Sequence, residues 1–82
     1  MSDATARAAH AQRLMDDPML IEALANIRGA AIKAWEATLT NDAQGREFAW
    51  LTVKVVNRIE TELQSIIDNG RIAAARVQAP VR

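Results

Sequence analysis

The chain has no cysteine and no tyrosine, and only one phenylalanine, one histidine, two prolines and three glycines in 82 residues. Without cysteine there are no disulfides and no thiolate metal sites. His10 alone gives no histidine cluster for zinc, and no cofactor is expected. An excess of charge is missing too, because ten basic residues cancel ten acidic ones. Nucleic-acid binders usually carry a basic surplus, so the balance argues against nucleic acid as a partner. It argues equally against an acidic mimic of nucleic acid. No apolar run approaches the roughly 18 residues of a membrane span. The opening MSDATARAAH lacks the hydrophobic segment of a secretory leader. The expectation is a soluble protein acting inside a cell, with no membrane partner.

Eighty-two residues allow one small domain, here taken as 1–82. Small domains bury a low fraction of their surface and are marginal as monomers. Disulfides, a metal or self-association are the usual remedies. The first two are excluded by composition, so a homo-oligomer is expected.

What the chain does have is helical periodicity. Gln44 to Asn69 carries the longest unbroken pattern, with Phe48, Leu51, Val55, Ile59, Leu63 and Ile66 recurring every three or four residues and Val56 and Ile67 widening the stripe. Asp16-Asp17-Pro18 marks an earlier helix start, with acids suited to capping and a proline tolerated in the first turn. From Pro18 to about Leu39, the residues Leu20, Leu24, Ile27, Ala31 and Trp35 line one face. A short connection follows. Asn41 with Gln44 resembles a capping box, and Asp42 also favours a helix start. Asn69-Gly70 reads as a helix end.

The expected fold is therefore all-α: an antiparallel helical hairpin, about 18–39 and 42–69, with short N- and C-terminal helices. Its core would be Leu20, Leu24, Ile27 and Trp35 against Phe48, Leu51, Val55, Ile59, Leu63 and Ile66. Gly29 falls opposite the stripe on its helix and reads as incidental or as a place for close helix approach.

One residue does not fit a plain hairpin. On a helical wheel Trp50 falls nearly opposite the expected core. Arg46, Trp50, Lys54 and Arg58 are spaced four apart and form one oblique ridge. Three readings compete. Trp50 packs under a terminal helix of its own chain, or it is the centre of an interface with a neighbour, as tryptophans often are. In the third, the ridge holds a phosphate or nucleotide, with the indole stacked on a base. No glycine-rich phosphate loop supports the last.

Catalytic constellations are absent from the pattern. His10 has no acid four residues away and no nucleophile to activate. Glu60 and Glu62 cannot share a helix face, so they are no glycosidase pair. A non-enzymatic protein is expected.

The stretches LMDDPMLIEALANI, IKAWEAT and GREFAWLTVKVVNRIETELQSIIDNGRIA resemble a family of small helical proteins of tailed bacteriophages and prophages, over about residues 13–75. The family carries over no catalytic residues. The resemblance implies a context: virion component, packaging accessory or counter-defence factor, in host cytoplasm or virion, with other phage structural proteins as partners. Three functions follow. The first is a helical self-associating structural module. The second is a protein that sequesters a signalling nucleotide, and the third a nucleic-acid-binding regulator.

Overall fold

A computed structural model describes residues 3–78, with side chains to Arg76. Three helices make up the described chain: α1 (Asp3–Met15), α2 (Pro18–Ala37) and α3 (Ala43–Gln78). The all-α hairpin preceded by a short N-terminal helix is as the periodicity predicts.

The helix starts follow local chemistry. Asp17 takes the N-cap position and Pro18 opens α2, where its missing N–H had no partner to lose. At the end of α1 the Asp16 amide donates to the Gln12 carbonyl at 3.0 Å and the Asp17 amide to that of Leu14 at 3.1 Å. Two terminal carbonyls are thereby satisfied. The start of α3 is set by Asp42 rather than by an Asn41–Gln44 box. The Asp42 carboxylate accepts the Gly45 amide at 2.9 Å. Gly45 makes room for it, since a Cβ there would run into the same carboxylate.

One boundary differs from expectation. Asn69-Gly70 does not end α3, and the stretch expected as a separate C-terminal helix is the last turns of α3. Gly70 has no positive φ and is buried. Its place on the helix faces Ala8 of α1, whose Cβ would collide with any side chain there. The glycine serves close packing, not chain reversal. Pro80, expected to stop the helix, lies outside the described residues.

The chain packs as two units that share α3. In one, α1 pairs with residues 60–78, burying Ala11, Ile67 and Gly70 and half-burying Leu63 and Ile66. In the other, α2 pairs with residues 43–59, burying Ala31, Ala49 and Val56. Across this second pair the Arg28 guanidinium donates to the Asn57 side chain at 3.1 Å.

The α2–α3 contact corrects the expected core. Leu20 and Leu24 are half-buried, but Ile27, Trp35, Phe48, Leu51, Val55 and Ile59 are exposed. The face of α3 turned to α2 runs through Ala49, Val53 and Val56, rotated about 110° from the large apolar stripe. The cause is side-chain size. The spacing between packed helices follows the side chains at the contact. Ala31 and Ala49 permit the closest approach, so the small residues take the seam and the large ones flank it.

Gly29 supplies a simple check. It lies inside α2, and a Cβ built there meets nothing within 4 Å. Gly29→Ala should therefore gain about 1 kcal/mol of helix propensity without strain. The thermal midpoint should rise by about 4–8 °C, and differential scanning calorimetry would measure it.

Candidate interaction surface

Two apolar surfaces flank the α2–α3 seam. On one side, α3 presents Phe48, Leu51, Val55 and Ile59, with Ile27 of α2 beside them lining an open groove. Phe48 is 74% exposed, the most of any large apolar residue described. Next to it lies a recess floored by alanines: Ala30, Ala31 and Ala34 of α2 with Ala49 of α3. The single polar side chain in these linings is Thr52. Its hydroxyl already donates to the Phe48 carbonyl at 3.0 Å. This surface can therefore be covered by another apolar surface without stranding a polar group.

The other side holds Trp50. Trp50 and Trp35 line one recess together with Ile32 and Val53. Trp50 is 55% exposed. Trp35, expected in the core, is instead its neighbour at the surface.

The ridge residues divide by role. Arg46 is structural: its Nη1 donates to the carbonyls of Leu39 at 2.8 Å and Thr40 at 2.9 Å, fastening the α2–α3 connection. Lys54 places its Nζ 4.9 Å from the centre of the Trp50 ring, a cation–π contact. Arg58 is exposed and makes an interaction of its own. A phosphate site built on Arg46 and Lys54 would have to break contacts that both already make.

Sequence reasoning missed the Phe48 surface because it placed those residues in the core. A signal was present. Val53, Val56 and Ala49 form a second apolar line on α3, so the apolar arc is wider than one partner helix covers. Among the described residues there is no group of three or more His, Cys, Asp or Glu side chains placed to hold a metal ion. No described helix is long and apolar enough to cross a membrane. Comparison with family models, curated proteins and solved structures gave no match.

Proposed function

We propose that the chain is a non-enzymatic helical module that works by burying its flanking apolar faces against protein, first of all against further copies of itself. The observation that carries this reading is an inversion of size. The buried side chains are Ala11, Ala31, Ala49, Val56 and Ile67, while Phe48, Trp35, Trp50 and most of the large aliphatics stay outside. A monomer with so small a core gains little from hydrophobic burial. The exposed aliphatic and aromatic groups supply what is missing once another surface covers them.

The setting we propose is that of the phage-encoded proteins whose sequences it resembles. There it would be a virion component or an assembly or packaging accessory, working in the host cytoplasm or within the particle. Support for the setting is the sequence resemblance, and support for the mode of action is the exposed surface.

Assembly stabilises the folded form by mass action, so apparent stability depends on concentration. The thermal midpoint should fall steadily as the purified chain is diluted, and sedimentation velocity should show the assembled species giving way over the same range. A folded monomer with a midpoint independent of dilution would overturn the reading.

A further inference from the structure

We infer that the Phe48 surface is a self-complementary dimer interface. The large residues of α3 in one copy pack on the alanine face of α2 in the other, around a two-fold axis parallel to the helices. This rests on the proposed self-association and specifies its geometry.

The two halves of the contact lie side by side on one surface. Phe48, Val55 and Ile59 project from α3. At the same surface α2 offers the exposed Ala30 and Ala34, and the helical repeat places Ala23 on the same line. A ridge of large side chains thus runs next to a line on α2 that is small at Ala23, Ala30 and Ala34 and interrupted by Ile27, whose level falls between Leu51 and Val55. Stacking two copies with the ridge of each over the small positions of the other interdigitates large with small, which is how packed helical layers fill space. An isologous contact requires such pairing, since every surface must meet its own reciprocal.

The direction of the axis follows from levels along the hairpin. Ala31 and Ala49 lie opposite each other in the seam, lining the same recesses. Phe48 is therefore level with the Ala30–Ala34 recess of its own chain. A two-fold axis parallel to the helices preserves levels, so Phe48 enters the same recess of the second copy. The result is a four-helix bundle in which each helix runs antiparallel to its neighbours, an arrangement reached with short loops alone.

Charge at the rim agrees with this axis. Glu47 on α3 and Lys33 on α2 are both exposed and lie at the outer edges of the surface. They share a level in the hairpin, so the operation brings Glu47 of each copy alongside Lys33 of the other, twice per dimer. Area agrees too. The exposed parts of Phe48, Leu51, Val55, Ile59 and Ile27 amount to on the order of 500 Å² on each copy. The alanines and the rim add to this, approaching the roughly 800 Å² per partner of a stable complex.

The test uses the full chain in sedimentation equilibrium, with variants at both halves of the contact. Phe48→Asp and Ala34→Trp should each weaken dimerisation at least a hundredfold, though they sit on different helices. For geometry, the absence of native cysteine permits single-cysteine chains. A mixture of Phe48→Cys and Ala34→Cys chains should be linked efficiently by a short thiol cross-linker, and each chain alone poorly. Phe48→Cys chains that link to themselves as readily as to Ala34→Cys chains would overturn the arrangement, because they place α3 on α3. Assembly unaffected by Phe48→Asp and Ala34→Trp would overturn the interface while leaving self-association standing. A wild-type chain that is folded and monomeric at all concentrations would overturn both.

Discussion

Val56→Asp should abolish the α2–α3 hairpin, whereas Val55→Asp should leave it helical. The two valines are neighbours in sequence and 100° apart around the helix. Val56 is 2% exposed and sits in the seam with α2, where the described residues bury no polar or charged side chain and where Arg28, crossing the seam, already donates to Asn57. An unpaired carboxylate buried there costs several kcal/mol or takes up a proton instead. A chain of this length has a total stability of only about 4–12 kcal/mol, so that cost consumes most of it. Val55 is 58% exposed, and an aspartate there keeps its water. In the isolated chain the change costs little, since valine and aspartate have nearly the same helix propensity. Its larger effect falls on assembly, where it puts charge on the Phe48 surface. Far-UV circular dichroism of both variants in the cold separates the cases. Lost helicity is expected for Val56→Asp alone, and a Val55→Asp chain that melts independently of dilution completes the contrast. If Val56→Asp keeps its helicity while Val55→Asp loses it, the seam lies where the sequence stripe first suggested, and the surface described here is the core.

That pair of residues also shows where sequence reading stops. The helices and their order were legible because proline at 18, the acid at 42 and the apolar spacing act locally, within a turn or two of the backbone. That α2 and α3 are antiparallel neighbours was legible from the short loop between them. Which face meets which was not. Periodicity weights large side chains, and Phe48, Leu51, Val55 and Ile59 outweigh Ala49 in any such reading. Helix contact is settled by how closely the backbones approach, and there Ala31 and Ala49 outweigh Phe48. The consequence reaches the candidate site. Trp50 was recognised as standing outside the intended core, and it does stand outside. Its partner across the recess, Trp35, was assigned to the inside. Arg46 was grouped with Trp50, Lys54 and Arg58 as one ridge, because the carbonyls it serves, Leu39 and Thr40, come close only after the loop has formed.

Gly70→Leu should detach α1 from α3. In an ordinary exposed helix, replacing an interior glycine with alanine or leucine gains most of 1 kcal/mol. Gly29 is half-buried but has open space at its Cβ position and should behave in the same way, and Gly70 is its opposite. A Cβ at residue 70 runs into the Ala8 side chain and comes within 2.9 Å of the Ala4 carbonyl oxygen. Neither can swing aside, since one is a single methyl on a helix and the other is backbone. Even Gly70→Ala therefore forces the two helices apart, at an overpacking cost of about 1–3 kcal/mol that offsets the gain in propensity. Leucine adds three more carbons and leaves no docked arrangement. Once free, α1 has only 13 residues and a thin apolar content. A helix that short is marginal in water even when rich in alanine, so undocking should also melt it. Hydrogen exchange provides the readout. The amides of Ala8 and Ala11 should lose protection in Gly70→Leu, while those of Ala31 and Val56, which belong to the other packing unit, keep theirs. Gly70→Ala should fall between wild type and Gly70→Leu, so the two glycine-to-alanine changes in this chain have opposite signs. Protection retained at Ala8 in Gly70→Leu would mean that α1 does not approach α3 through Gly70, and the glycine would revert to the helix terminator its sequence context suggests.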